Sequence, residues 1–224
     1  MNYQMECEKI IAGLKPENNR LLLHSCCAPC SSYVLVYLRK YFRITVFYYN
    51  PNISYEEEYR RRVEEQKRLI VELNKERCEN VYPIAYIDGD FEPELFFAAV
   101  KGLEHVKEGG ERCFKCYELR LRKTGEYARE HHFDYFTTTL SISPLKSAAK
   151  LNEIGIALSK EFGVSYLLSD FKKKNGYKMS VELSKAYDLY RQDYCGCVYS
   201  REERRQAKQQ ISEKGTGKNK GEEK

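Results

Sequence analysis

The sequence predicts an α/β protein built on a parallel sheet of about five strands, with helices covering both faces. Short apolar or β-branched runs alternate with segments of helical periodicity along nearly all of the 224 residues. Hydrophobic residues make up 42% and charged residues 32%, which is typical of a globular protein and excludes a disordered chain or a coiled coil. The longest apolar runs, residues 34–38 and 95–100, are far shorter than the roughly 18 residues of a membrane-spanning helix.

The first strand is predicted at residues 20–25, and apolar residues at helical spacing predict a helix at residues 31–42. A cysteine-rich turn joins the two elements. The β-branched and aromatic run at residues 43–49 predicts a second strand, which ends at the turn residues 50–52.

A long helix is predicted to follow, with Ser54 as its amino-terminal cap. Glutamates at residues 56–58 favour the positive end of this helix, and each lies four residues before an arginine at residues 60–62. The side chains expected to face the core are Tyr59, Val63, Ile70 and Leu73.

Strands and helices continue to alternate in the rest of the chain, where Pro93 opens a short helix. The remaining predicted strands are residues 81–87, 134–140 and 164–168, and the remaining predicted helices are residues 114–131, 147–162 and 181–190. We therefore expect a single α/β domain over residues 20–211, after an amino-terminal extension at residues 1–19. Residues 212–224 lack apolar side chains and are predicted to be a disordered tail.

The net charge of +5 is weak evidence for a nucleic-acid partner, because residues 201–224 contain eight Lys or Arg against five Asp or Glu. Lysines cluster at residues 172–174, although a solvated surface is the commoner explanation of such a run. The first ten residues lack the basic and apolar regions of a secretory signal. We therefore expect a cytoplasmic protein with reduced cysteines.

Cysteines carry the clearest chemical signal. Nine cysteines in 224 residues fall well below the roughly 8–10% of a disulfide scaffold, which favours metal ligation or redox chemistry. Seven of them form three groups, which are Cys26 with Cys27 and Cys30, Cys113 with Cys116, and Cys195 with Cys197. Cys7 and Cys78 stand alone, and we interpret them as small buried residues without chemistry.

The first group follows a strand and precedes a helix, where parallel sheets bind ligands and where the helix amino terminus lowers the pKa of thiols. Cys113 and Cys116 have a Cys-x-x-Cys spacing, which suits zinc or an iron–sulfur cluster. Adjacent Cys26 and Cys27 converge less easily on one zinc ion than on two irons of one cluster. We therefore favour a [4Fe–4S] centre over zinc.

Cys195 and Cys197 are separated by Gly196, whose backbone freedom allows a strained disulfide to close. Strained disulfides are the labile and catalytic ones. A redox-active pair and a second pair of metal ligands are equally good interpretations of this spacing.

The histidines and the absence of two common motifs further restrict the possible functions of this sequence. We interpret His24 as a hydrogen-bonded core residue at a strand end, and His131 and His132 as residues at a helix end, where cations suit the dipole. The sequence contains neither a GxxxxGK[ST] phosphate loop nor a GxGxxG motif, which disfavours the common nucleotide- and NAD-dependent enzymes.

Six ordered segments resemble the motifs of one enzyme family. They are LLLHSCCAPCSSYVL, FYYNPNI with EEEYRRR, ERCFKCYELRL, FTTTLSISPLK, SDFKKKNGYKMS and YRQDYCGCVYS. The segments extend from about residue 20 to residue 201 and are similar to those of the QueH-type epoxyqueuosine reductases. Two of them are rare cysteine patterns, which makes the resemblance specific.

The resemblance implies a Rossmann-like sheet related to the PP-loop ATPase (HUP-type) folds, with the cysteine loop in the place of the phosphate loop. It implies reductive removal of the epoxide oxygen of epoxyqueuosine at the tRNA wobble position, the last step of queuosine biosynthesis. The residues that match the family's [4Fe–4S] ligands are Cys26, Cys27, Cys113 and Cys116. The family's redox-active disulfide matches Cys195 and Cys197, and Cys30 is expected to bind an additional iron ion.

The family motifs also suggest contacts to the anticodon loop of tRNA or to the substrate base. The matching residues are Asn50, Asn52, Arg62, Lys172, Lys173 and Arg191. Tyr49, Tyr177 and Tyr190 are candidates for an aromatic platform under an unstacked base. An unidentified electron donor is expected as a second partner.

Two alternatives stay open from the sequence. A sulfur-transfer or ATP-pyrophosphatase-type tRNA-modifying enzyme on the same fold would require a nucleotide loop, and this sequence has cysteines there instead. A zinc-stabilised RNA-binding module would have the same cysteine spacing without catalysis.

Overall fold

The computed structural model describes residues 1–15, 19–76 and 79–216. The strands are β1 (Arg20–His24), β2 (Arg43–Tyr48), β3 (Ala85–Asp88), β4 (Tyr135–Thr138) and β5 (Ser165–Tyr166). They form one all-parallel, five-stranded sheet in the order β3-β2-β1-β4-β5. This sheet confirms the predicted α/β class and the expected number of strands.

Helices connect these strands and cover the sheet. The α-helices of the described chain are α1 (Tyr3–Ala12), α2 (Ala28–Leu38), α3 (Glu56–Lys75), α4 (Pro93–Ala99), α5 (Glu111–Glu130), α6 (Ala148–Phe162), α7 (Gly176–Ala186) and α8 (Val198–Thr216). A 3-10 helix spans Thr139–Ile142. None of the helices in the described residues is long and apolar enough to cross a membrane.

The central strand β1 contributes side chains to a core on each face of the sheet, because neighbouring residues in a strand point to opposite sides. Leu21 and Leu23 pack with residues of α2 and α3 on one face. Leu22 packs with residues of α5 and α6 on the other face. The core positions predicted for α3, which are Tyr59, Val63, Ile70 and Leu73, are all buried. The predicted helical period of α3 is therefore confirmed.

Tertiary contacts override the predicted cap of α3. The helix is preceded by Tyr55, which makes no side-chain capping hydrogen bond, so the prediction that Ser54 caps it is wrong. The Ser54 Oγ atom instead accepts a hydrogen bond from the backbone N–H of Val198, at 3.1 Å. Ser54 thus connects the start of α3 to the start of α8.

The third strand is shorter than predicted and begins at Ala85 instead of residue 81. Pro83 has no backbone N–H to donate to the sheet. The backbone N–H and C=O groups of Ile84 both bind the Asn74 side chain, each at 2.9 Å. These residues therefore bind α3 and not the neighbouring strand.

The two ends of the described chain contain helices that the sequence patterns did not predict. Helix α1 buries Cys7 completely in the core. Helix α8 extends to Thr216, so residues 212–216 are helical although they were predicted to be part of a disordered tail. The preceding part of α8 is rich in Arg, Glu and Gln, which have high helix propensity, and the helix continues from it into residues 212–216. Residues 217–224 lie outside the described residues.

The strand order creates a crevice at one edge of the sheet. From β1 the chain builds β2 and β3 on one side, and then β4 and β5 on the other side. Connections therefore diverge between β1 and β4, and ligands of parallel sheets bind at such a divergence, beyond the carboxyl ends of the strands. The first cysteine group directly follows β1 and lies at this edge.

Candidate metal and redox centre

The first cysteine group forms a compact thiol cluster between β1 and α2. The sulfur atoms of Cys26, Cys27 and Cys30 all lie within 4.8 Å of one another, and those of Cys26 and Cys27 are 3.8 Å apart. Cys27 is the amino-terminal cap residue of α2, and Pro29 lies in the first turn. The predicted position of this group, between strand end and helix start, is confirmed. Such a group of sulfur ligands can hold a metal.

Electrostatics favour a thiolate in this cluster. The neighbouring Cys26 and Cys30 side chains hydrogen-bond to Cys27 and lower its pKa, and the charge of Arg62 acts in the same direction. Burial opposes this effect but does not reverse it. Cys27 is therefore the member of the group that most readily loses its proton and becomes a ligand.

Residues from the ends of β2 and β4 hold the cluster in place. The Thr139 hydroxyl accepts a hydrogen bond from the Cys26 backbone N–H at 3.3 Å and donates to the Cys26 sulfur at 3.5 Å. The Asn50 side chain donates to the Ser25 carbonyl at 2.8 Å. Thr139 was not among the predicted site residues, although its position near the carboxyl end of the strand predicted at residues 134–140 was a signal that could have found it.

The second group, Cys113 and Cys116, lies in the first turns of α5, which begins three residues before the helix predicted at residues 114–131. The Cys113 sulfur accepts a hydrogen bond from the Gly109 backbone N–H at 3.3 Å. Burial raises the pKa of Cys116 to about 12. A metal bound there would have to displace that proton.

The third group lies in the loop before α8, and both of its cysteines are free thiols in the structure. The Cys195 carbonyl accepts hydrogen bonds from Arg62 at 3.2 Å and from the Asn52 side chain at 3.3 Å. The Cys197 sulfur accepts a hydrogen bond from the Ser200 backbone N–H at 3.3 Å. The loop is therefore held by Arg62 and Asn52 at Cys195 and by Ser200 at Cys197.

Two neighbouring cavities with shared lining residues bring the three groups together. A cavity of about 300 Å³, which we call the main cavity, is lined by Cys26, Cys27 and Cys30 and also by Cys195 and Lys146. A smaller cavity is lined by both thiols of the second group and both of the third. Cys195 and Lys146 line both cavities. The fold thus gathers cysteines that are distant in sequence around one crevice.

Two buried cations face this crevice. Arg120 is 1% exposed and donates to the Cys116 carbonyl at 3.2 Å, but its two terminal nitrogens find no hydrogen-bond partner in the described part of the chain. The ammonium of Lys146 lies 4.0 Å from the Glu108 carboxylate. Burial alone would lower the pKa of Lys146, but the nearby Cys195 thiol raises it above the usual value. Both cations therefore favour negative charge in the crevice.

Three residues expected to contact tRNA are instead buried beneath the cysteine loops. Asn50, Asn52 and Arg62 are at most 2% exposed. Arg62 forms an ion pair with Glu58 at 2.6 Å and binds the Cys195 loop. Their contacts indicate that they position the cysteines, so a direct contact with tRNA would require them to become accessible.

The other expected contacts lie nearer the surface. Lys173 and Arg191 are exposed, and Arg191 lines the main cavity. Lys172 forms an ion pair with Asp170 at 2.5 Å. Of the candidate aromatic platforms, Tyr177 is exposed and lines the main cavity, Tyr190 is half-buried away from it, and Tyr49 is buried with its hydroxyl donating to Glu92.

His24 and Cys7, which lie outside the three cysteine groups, are both buried in the core. His24 is fully buried, with one ring nitrogen bonded to the Thr138 hydroxyl and the other to the Tyr49 carbonyl, which confirms the core interpretation. Burial lowers its pKa to about 3. Cys7 is fully buried, and its pKa is raised to about 12, chiefly by that burial. Cys78 lies outside the described residues.

The fold and the site together define a parallel α/β protein with thiols and buried cations at the crevice that related folds use for nucleotides. Comparison with known proteins gives the family. The model of the family described as epoxyqueuosine reductase QueH matches residues 21–203. The chain belongs to this family.

Individual relatives support the same assignment. The chain is 42% identical to the epoxyqueuosine reductase QueH of Streptococcus pyogenes serotype M1, over 89% of this chain and 78% of that protein. It is 41% identical to the protein of the same name from Staphylococcus aureus, over 89% of this chain and 84% of that protein. Identity to the Thermotoga maritima protein is 33%, over 87% and 96% of the two chains.

The glycine between the last two cysteines is required by its surroundings. Gly196 has a φ of +118°, and a Cβ atom there would lie 2.8 Å from the Ile53 side chain. We expect Gly196→Ala to lower the free energy of unfolding by about 1–3 kcal/mol and to increase the reactivity of the Cys197 thiol. Denaturant unfolding and alkylation rates measure the two effects.

Gly102→Ala is the matched control, because Gly102 has a φ of +83° but open space around it. This control isolates the cost of the backbone conformation from the cost of the clash. Equal destabilisation and equal alkylation rates in the two variants would contradict the packing argument.

Proposed function

We propose that this chain is the oxidoreductase that converts epoxyqueuosine to queuosine at the wobble position of tRNA. The reaction opens the epoxide, breaks both of its C–O bonds, forms a C=C bond and releases the oxygen as water. It consumes two electrons and two protons. The observation that carries the proposal is the convergence of three thiol groups on one crevice, in a chain that belongs to the QueH family.

A [4Fe–4S] cluster fits the residues of this crevice. Its ligands would be Cys26, Cys27, Cys113 and Cys116. The fit is supported by Arg120, whose terminal nitrogens are buried and unpartnered in the described residues and therefore need acceptors of the kind that thiolates and inorganic sulfide supply. The cluster would supply electrons one at a time. Zinc would fit four thiols equally well, but it has no redox chemistry with which to support a reduction.

Cys30 would hold an additional iron ion next to the cluster. Its sulfur lies within 4.8 Å of the sulfurs of both Cys26 and Cys27, and it lines the main cavity. A thiol at this position is available to a second metal after its neighbours have bound the cluster.

The Cys195 and Cys197 thiols would supply or relay the electron pair. When they join as a disulfide, they release two electrons and two protons, which is the stoichiometry that the reduction needs. Cys195 lines the main cavity, whereas Cys197 is buried and held by Ser200. This arrangement lets one thiol face the substrate while the other stays protected.

Lys146 would assist the departure of the oxygen. It is the ammonium group that lines the main cavity beside Cys195, and its side chain is only 10% exposed. In such a sheltered position, a hydrogen bond from the ammonium to the epoxide oxygen stabilises the negative charge that develops as the C–O bond breaks.

The substrate base would enter the main cavity from the anticodon loop of tRNA. Arg191 and Tyr177 line this cavity and can bind the phosphate and the base, respectively, and Lys173 offers an exposed cation nearby in sequence. Lys172, Asn50, Asn52 and Arg62 would contribute indirectly, through the loops that they hold. We place the reaction in the cytoplasm, where tRNA and an electron donor are both present.

Nucleoside analysis of host tRNA tests the proposed reaction. In a host without its own epoxyqueuosine reductase, expression of this chain should convert epoxyqueuosine in tRNA to queuosine, as measured by mass spectrometry. A Cys7→Ser variant is the positive control, because Cys7 is buried in the core away from the crevice. If epoxyqueuosine persists although the protein is loaded with iron and a chemical reductant is added, the proposed reaction is wrong.

Cysteine variants separate the electron relay from the metal ligands. Cys195→Ser and Cys197→Ser should stop turnover but keep the iron content of the wild type. Cys113→Ser should lose most of its iron together with its activity. Iron and protein are measured on anaerobically purified samples, with Cys7→Ser again as the control. Loss of iron in the Cys195 and Cys197 variants would instead identify these residues as ligands.

A further inference from the structure

A second cavity of about 540 Å³ lies between α3 and α8, outside the site described above. We call it the α3–α8 groove. The lining residues that matter here are Tyr55, Arg61, Tyr190, Arg201, Arg204 and Lys208. Helix α8 was not predicted from the sequence, so the groove could not be predicted from it either.

The groove adjoins the main cavity. Asp193, Tyr194 and Arg204 line both of them. A linear polymer bound in the groove could therefore place one of its units in the main cavity beside Cys195 while the rest of it stays on the protein surface.

Cations outnumber anions in the groove. Its walls contain five Lys or Arg residues and three Asp or Glu residues. Asp193 is paired with Lys208, and Glu58 with Arg62 beneath the surface. Arg61, Arg201 and Arg204 form no ion pair with any residue that the structure describes, although Asp193 lies near Arg204. These three arginines are available to a polyanion.

Two of the groove arginines lie over aromatic rings. The Arg61 guanidinium lies 3.6 Å from the centre of the Tyr190 ring, and the Arg201 guanidinium lies 4.7 Å from the centre of the Tyr55 ring. Tyr55 is 40% exposed. Guanidinium groups held over aromatic rings offer both a phosphate ligand and a stacking face for a base.

We propose that the α3–α8 groove binds the single-stranded part of the anticodon loop next to the wobble nucleotide, with its phosphates on Arg201 and Arg204. This inference rests on the proposed function for the identity of the RNA. Because Arg204 lines both the groove and the main cavity, RNA bound to it in the groove has its wobble base next to the main cavity.

The lysine cluster at residues 172–174 is the competing surface. Two of its three charges are already compensated, since Lys172 pairs with Asp170 and Lys174 with Glu8 at 2.7 Å. An ion pair must be broken or shared before such a lysine contributes fully to phosphate binding. The groove arginines carry no such cost.

The test compares RNA affinity between matched double variants of the full-length, iron-loaded protein. The probe is a fluorescent anticodon stem-loop RNA with guanosine at the wobble position, followed by anisotropy over a range of salt concentrations. R201A/R204A should weaken binding about tenfold at 0.15 M salt and lower the log–log salt slope by about 1.4, since each single-strand phosphate contact contributes about 0.7. R201K/R204K should retain most of that slope.

The control is K40A/K160A, which removes two exposed charges near the carboxyl ends of α2 and α6, at the opposite edge of the sheet. It should bind like the wild type. If R201A/R204A also binds like the wild type, or if K172A/K173A shows the larger loss, the proposal is overturned. The binding assay requires no turnover, so the two proposals can fail separately. If the wild-type protein leaves epoxyqueuosine unchanged but R201A/R204A still binds RNA more weakly than the wild type, the proposed reaction is refuted and the groove proposal stands.

Discussion

Charge compensation inside the crevice is the constraint on which the rest of this structure depends. An uncompensated buried cation costs several kcal/mol, and three cations lie buried or nearly buried around the cysteines. Arg62 is compensated by Glu58 and by the Cys195 carbonyl, whereas within the described residues Arg120 has only the Cys116 carbonyl for its inner nitrogen. In the proposed function, the four thiolates that would hold the cluster would supply the missing negative charge. The proposed cluster would thus account for a guanidinium at the centre of the protein.

The parallel sheet makes this arrangement possible by holding the thiols on rigid elements. The Cys26 group is fixed between β1 and α2 by Thr139 and by the Asn50 contact to Ser25, and the second group is fixed by the first turns of α5. The Cys195 loop is less regular and depends on side chains from the end of β2 and from α3. The sites that would bind metal are thus built on strands and helices, whereas the thiols that would change oxidation state lie on a loop.

Patterns of neighbouring residues correctly predicted those features of the structure that depend only on neighbouring residues. The apolar period of α3 and the strand β1 are properties of neighbouring residues, and the structure confirms both. Ser54 was assigned to the wrong helix because its partner, the Val198 backbone, is distant in sequence. Asn52 and Arg62 were expected to contact tRNA or the substrate base because they match the family's motifs, whereas their burial under the Cys195 loop depends on residues distant in sequence. The same limit hid the burial of Arg120 and the position of Lys146 beside the thiols.

The content of metal and sulfide in the anaerobically purified protein shows most directly whether four cysteines and two buried cations enclose an anionic iron–sulfur cluster. We predict about four iron ions and about four acid-labile sulfide ions per chain, or about five iron ions if Cys30 holds its own, and loss of both in Arg120→Met. About one zinc ion per chain without sulfide would contradict the claim and favour the zinc-stabilised RNA-binding module.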